Sequence, residues 1–265
     1  HKLDRDACSP FFTGTTAAYT PTQNHVDEYG MQEGKTYDPK HPYDNRDYRF
    51  YANVLYDGCT YRNHVMDIHY TNRVAGEDLT PYGTSTSAAV TLTGYYLGKF
   101  VDEAQTIDNN ETYASKQNYI IWRYAEALLD YAEVCFRLGD TDKAKEYVNM
   151  IRKRVHMPEL STISWDNIFN ERRVEMAFEE TTYWDLFRWG IAKERMNGET
   201  NPLKGMRVDI TMVNNQVAAT KYTISNVNRF PKRIRVFEDK QYYLPIPWSE
   251  IKYHGVKQNP DWTEQ

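Results

Sequence analysis

The chain has 265 residues, 40% of them hydrophobic, enough for one large domain or two small ones with a real core. A formal charge of −5 argues against nucleic acid, which calls for a basic stripe. No apolar run is long enough to span a membrane, and what stands out instead is the content of 22 Tyr and 6 Trp.

Tyr and Trp combine an apolar face with a hydrogen-bonding tip. That suits carbohydrate, whose rings present C–H patches edged by hydroxyls, although Tyr-rich surfaces also occur in secreted proteins that bind no sugar. Cys8, Cys59 and Cys135 are far apart and odd in number. Without a Cys-x-x-Cys they support neither a metal knuckle nor a redox motif, and Cys135 reads as a small core residue on a helix stripe. The chain opens at His1-Lys2-Leu3 without a signal peptide, so it reads as a piece of a longer protein.

From residue 1 to about 115 the chain is irregular and turn-rich, punctuated by Thr20-Pro21, Glu33-Gly34, Asp38-Pro39, His41-Pro42 and Asp57-Gly58. Phe50–Tyr56 followed by Asp57-Gly58 predicts a strand entering a hairpin. Ala88–Thr93 before Gly94 predicts a second strand.

From Tyr119 the period becomes helical. Ile121, Ala125, Leu128, Ala132 and Cys135 form one apolar stripe, and Gly139 ends it. Asp140 or Thr141 caps a second helix with Ala144, Val148, Ile151 and Val155 inward, closed by Pro158. So short a turn makes the two pack antiparallel, like a single tetratricopeptide repeat. One repeat cannot bury its own face, so neighbours are needed, from outside this sequence or from the rest of it. A third helix is expected from Trp165 to Phe178 and a fourth from about Tyr183 to Arg195. After Gly198 the chain reads as irregular, apart from strands near Arg207–Val213 and Lys221–Ile224. The ending, Tyr242-Tyr243-Leu244-Pro245-Ile246-Pro247-Trp248, has prolines flanking Ile246 and reads as an extended tail locked onto a core.

The richest charged cluster is Glu171, Arg172 and Glu175 with Asp185 and Arg188. Glu171 and Glu175 share a helix face, and paired carboxylates could serve a glycosidase. Alternation with core residues favours a structural ion-pair network joining two helices. Other catalytic signatures are absent, so no catalytic residue, no cofactor and no metal ligand is assigned. Asp4/Asp6 and Asp44/Asp47 lack the glycine and distal Glu of a calcium loop, and the scattered histidines read as surface residues. The better site candidates are aromatics beside turns in the first third: Phe11, Phe12, Tyr19, Tyr37, Tyr61 and Tyr82. Stacking of one or two sugar rings on such faces gives weak binding per site, which a polymeric ligand multiplies.

Several segments resemble the SusD/RagB family. They are Asn24–Tyr29, Asn45–Tyr51 (with Tyr48 where proline is usual), Arg123–Glu133, Asn149–Arg154, Ile168–Glu179 and the Arg229–Trp262 ending. Glu180 stands where glycine is expected and Thr182 where arginine is, which suggests a differently shaped turn. The resemblance implies a mainly α, SusD-like fold: a tetratricopeptide-type helix pair plus further helices, with long irregular loops and a few short strands. Within one integrated domain, residues 1–115 would form a loop-rich, aromatic-rich ligand-facing region and residues 116–265 a helical scaffold with an extended tail. It implies a non-catalytic surface lipoprotein of the outer membrane that captures glycans for a TonB-dependent, SusC-like transporter, with membrane contact through an N-terminal lipid not present in this chain. The family's ligand site has no residue motif, so the aromatics above rest on their own chemistry. A peptide-capturing member of the family and a helical-repeat protein-interaction module are the alternatives.

Overall fold

The structure, a computed structural model, describes residues 19–71, 91–101, 118, 120–227 and 234–263. It is mostly helical, and it divides into two compact units, His1–Glu179 with Lys204–Val227 and Glu180–Leu203 with Asn228–Gln265.

Among the described residues of the first unit, the first element is a single-turn helix, α1 (Gln23–Val26), capped by the Thr22 hydroxyl. Helix α2 (Tyr48–Asn53) follows, its first turn capped by the Asp47 carboxylate, which accepts from the Arg49 amide at 2.9 Å. This helix replaces most of the strand expected over Phe50–Tyr56. The Asp47 cap overrides the β-propensity of the aromatic run, because it also places Arg49 inside the unit, where buried carboxylates receive it. Only Val54–Leu55 (β1) is extended, and it pairs antiparallel with β5 (Tyr96–Leu97), not across Asp57-Gly58. The local hairpin is instead β2 (Thr60–Tyr61) with β3 (His64–Val65), turning through Arg62 and Asn63 at φ 48° and 62°.

Of the strand expected at Ala88–Thr93, residues 88–90 lie outside the described residues, and Thr91–Thr93 are not in a strand. The Thr93 carbonyl nevertheless accepts from the Met206 amide at 2.8 Å. Gly94 follows at φ 78°, and a Cβ there would lie 1.9 Å from the Met206 carbonyl oxygen, so the position requires glycine.

Helices α3 (Tyr124–Arg137) and α4 (Thr141–Arg154) form the expected antiparallel pair around Gly139 at φ 85°. The pair begins later than its apolar stripe implied: Ile121 precedes the helix and is 88% exposed. One face of the pair is met from within this chain, while Tyr131, Val134 and Leu138 stay exposed. Helix α5 (Trp165–Glu175) inserts Ile168 among Ala132, Cys135, Ala144 and Val148, and Met176 packs with Leu128, Leu129 and Ile151. Burying Leu129, Val148, Ile151 and Ile168 is worth about 1.5–3 kcal/mol each. A Ser164–Asn167 capping box starts α5. The helix stops at Glu175, short of the expected Phe178, which takes a left-handed φ of 64°.

The strands near Arg207 and Lys221 are both longer than expected. β6 (Lys204–Val213) and β7 (Gln216–Asn226) make one antiparallel hairpin, and β4 (Tyr70–Thr71) pairs parallel with β6. Asn214 and Asn215, at φ 50° and 60°, supply the left-handed turn that right-twisted strands require. The aromatic core of this unit gathers Tyr29, Tyr43, Phe50, Tyr95, Met206 and Val208.

In the second unit the expected Tyr183–Arg195 helix is two, α6 (Thr181–Arg188) and α7 (Ala192–Met196), because Gly190 turns left-handed between them at φ 72°. Phe187 packs edge-on against Phe237 and Tyr242. The region after Gly198 is more ordered than its composition suggests, with a 3₁₀ turn at Asp239–Tyr242 and helix α8 (Trp248–His254) starting directly after Pro247. The tail is fixed within this unit by its own side chains. The Gln258 amide pairs reciprocally with the Ile246 backbone at 2.8 and 3.0 Å. Asn259 donates to the Leu244 carbonyl, and the Trp262 indole N–H donates to the carbonyls of Lys240 and Tyr243.

Candidate ligand-binding surface

Of the aromatics picked out by their turn-adjacent positions, Phe11, Phe12 and Tyr82 lie outside the described residues. Tyr19 and Tyr37 are 52% and 44% exposed. Tyr61 is a correction: it is 1% exposed and packs with Leu55, Met66, Ile68 and Tyr96. Strand alternation explains it. Thr60 points outward and Tyr61 inward, so adjacency to a turn says nothing about which face a side chain takes.

Tyr37 stands on a rigid base. Its ring lies 5.1 Å from the guanidinium carbon of Arg46, which is itself buried and donates to the carbonyls of Pro42, Val26 and Tyr29. Tyr51 converges on the same residue: its hydroxyl accepts from the Arg46 amide at 3.1 Å and donates to the Tyr43 carbonyl at 2.7 Å. Tyr48, three residues before Tyr51 on α2, is 49% exposed and meets His156 edge-on. Tyr48 and Tyr51 were missed because the segment read as a strand; a Tyr-x-x-Tyr spacing behind an Asp cap is the signal that would have placed both on one helical turn. Together Tyr37, Tyr48 and Tyr51 offer half-exposed rings on fixed supports, the form in which stacking costs least ordering entropy.

The charged cluster has a different character. Arg49 donates to Glu171 at 2.6 Å, to Glu175 at 2.9 Å and to Asp47 at 2.6 Å. Glu175 also accepts from Arg123 and Arg154, and Glu171 from Arg152. Glu179 receives Arg123 and Lys99, while Arg172 meets Asp130 at 2.6 Å. Burial alone would push the Glu175 carboxyl up, but the Arg123 hydrogen bond and the charges of Arg49, Arg123 and Arg154 outweigh it and hold the group below the ordinary carboxylate range. A glycosidase acid needs the opposite shift, because it must keep a proton to donate. Glu171 and Glu175 are 2% and 3% exposed, so a glycosidic bond has no approach to them.

The network joins residues 47–49 to α5 across more than a hundred positions and is not confined to two helices. Asp185 and Arg188 belong to the second unit, where they pair with each other at 2.8 Å. Among the described residues no group of three or more His, Cys, Asp or Glu could hold a metal ion. Asp47 is spent on Arg49, and His69, read from sequence as a surface residue, pairs with Asp57 at 2.8 Å. No helix among the described residues is long and apolar enough to cross a membrane.

Comparison with known proteins agrees with this architecture. The SusD family matches residues 7–262. A SusD-like protein of Bacteroides ovatus is 31% identical over 100 residues, 36% of this chain and 18% of its own length. Another from Formosa agariphila is 32% identical over 105 residues, 35% and 20% of the two chains. Among solved structures, a SusD-like protein from Bacteroides fragilis superposes with a TM-score of 0.67 at 29% identity, over 91% of this chain and 47% of that one. A SusD-like carbohydrate-binding protein of the same organism gives 0.63 at 26% identity, over 77% and 41%. The matched stretches thus cover about half the length of these structures or less, and about a fifth of the two curated relatives. With the family pattern running through nearly all of this sequence, the chain belongs to the SusD family.

Proposed function

We propose that this chain captures glycans without cleaving them and passes them to a TonB-dependent, SusC-like transporter at the outer membrane, where an N-terminal lipid holds the mature protein. The observation that carries this reading is the likeness to the SusD-like carbohydrate-binding protein of Bacteroides fragilis, whose fold this chain shares at 26% identity. The half-exposed Tyr37, Tyr48 and Tyr51 supply rings for stacking, and Arg46 keeps Tyr37 in place. The arginine-neutralised Glu171 and Glu175 are consistent with a scaffold role.

Native affinity electrophoresis of the intact mature protein against plant, host and microbial polysaccharides, with a reducing-end assay on the same mixtures, tests the reading. Retardation by one polymer class with no new reducing ends is the expected result. Reducing ends that vanish in Glu175→Gln would replace capture with hydrolysis. Binding of peptides in place of any polysaccharide would move the protein to the peptide-capturing alternative.

A further inference from the structure

Within the second unit, the tail folds around a concavity of about 470 Å³ lined by residues including Lys240, Trp248, Ile251, Asp261, Trp262 and Thr263. We infer that this concavity is a separate sugar-binding subsite that takes a neutral pyranose unit of a longer chain. The inference rests on the glycan-capture reading and adds a site in a unit that holds none of Tyr37, Tyr48 and Tyr51.

Size comes first: the volume lies in the range of small-molecule sites and accommodates one or two sugar rings. The walls are pre-formed. Gln258 clamps Ile246 from both backbone sides, Asn259 holds Leu244, and the Trp262 N–H holds two carbonyls, so little chain need be ordered on binding. The surface is also chemically mixed. Trp248 leaves 52% of its area to water at the start of α8, although packing could have covered so large an apolar ring. A sugar's C–H face is the complement of such an indole.

Around it stand groups that suit hydroxyls, which both donate and accept. Asp261 and Thr263 are exposed, and the Lys240 ammonium is held between the Glu238 carboxylate at 2.8 Å and the Trp262 ring at 5.1 Å. A purely apolar peptide segment would cover Asp261 and Thr263 without offering them hydrogen bonds in place of water. The charged residues of the lining are Lys240 and Asp261, and Lys240 is already paired with Glu238, so an acidic sugar finds no uncompensated cation and the balance favours a neutral ring.

Calorimetric titration of the intact mature protein with a set of hexasaccharides tests this: malto-, cello-, xylo- and manno-hexaose as neutral probes, and hexagalacturonate as the acidic one. For the neutral probe that binds, Trp248→Ala is expected to weaken binding about tenfold, with Trp248→Phe recovering part of the loss and the melting temperature unchanged in both. Equal affinity in wild type and Trp248→Ala overturns the subsite while leaving glycan capture intact. A Trp248-dependent preference for hexagalacturonate overturns the neutral assignment. If wild type binds no hexasaccharide, the capture reading and the subsite fall together.

Discussion

Arg49→Met is the most demanding test of how this fold is held. The Arg49 side chain is 10% exposed, and its three carboxylate partners, Asp47, Glu171 and Glu175, are at most 2% exposed at their side chains. Removing one member of a buried ion network costs about 3–5 kcal/mol, because the charges left behind stay desolvated. The structure narrows that range. Glu175 keeps Arg123 and Arg154, and Glu171 keeps Arg152, so Asp47 alone loses its guanidinium partner outright. The expected loss is therefore about 3 kcal/mol, or about 6–12 °C in melting temperature at this chain length.

Asp47→Asn keeps the helix-capping acceptor and removes the charge. In the Arg49→Met background it should restore about 1–2 kcal/mol, which a double-mutant cycle by urea unfolding would read. Glu175 sets the pH window. Its folded-state pKa lies below the unfolded value, so its contribution is fully present above about pH 4.3 and is lost as pH falls through the folded value. The Arg49→Met penalty should thus be flat from pH 6 to 8 and shrink in acid. A penalty under about 1 kcal/mol at pH 7, or strictly additive effects of the two substitutions, would refute the network as the link between α2 and α5.

Other substitutions separate local causes. Gly94→Ala should cost about 2–4 kcal/mol, through the left-handed φ and the clash with the Met206 carbonyl; thermal unfolding within 1 °C of wild type would contradict it. Glu180→Gly should stabilise by about 0.5–1 kcal/mol, since Glu180 holds a φ of 64° that glycine takes freely; a lower melting temperature would show that its side chain matters more than its backbone. Tyr61→Ala should cost about 3–5 kcal/mol, as for any large core ring, whereas Tyr37→Ala should leave stability within about 0.5 kcal/mol; parallel denaturation curves decide between these roles. Gln258→Leu removes both bonds to Ile246, so the Ile246 amide should exchange with solvent far faster; unchanged protection would mean the tail is held by other contacts.

Locally encoded features were legible in the sequence. The 3.6-residue stripe through Leu128, Ala132 and Cys135, the Gly139 stop and the start of the third helix at Trp165 each depend on a few neighbouring residues, and each is where it was expected. The same local logic failed where distant partners decide. Phe50–Tyr56 has strand composition, yet a cap at Asp47 and two carboxylates on α5 make most of it helix and bury Arg49. The turn at Glu180 keeps a left-handed backbone without the glycine that would announce it. Asn214-Asn215, lying between the strands expected near Arg207–Val213 and Lys221–Ile224, does encode their hairpin turn. For the candidate aromatics the structure decides exposure alone. Tyr19 and Tyr37 are exposed, Tyr61 is not, and Tyr48 and Tyr51 required the helix to be recognised first.

The central claim, capture of glycan by exposed tyrosines on a rigid scaffold, is tested most directly by one gel comparison. Wild-type mature protein and a Tyr37→Ala/Tyr48→Ala variant of equal stability are run side by side through native gels containing the polysaccharide panel. The account predicts that one polymer class retards wild type and that the variant migrates close to its speed in polymer-free gel. Equal retardation of both proteins, or free migration of wild type through every polymer, would contradict it.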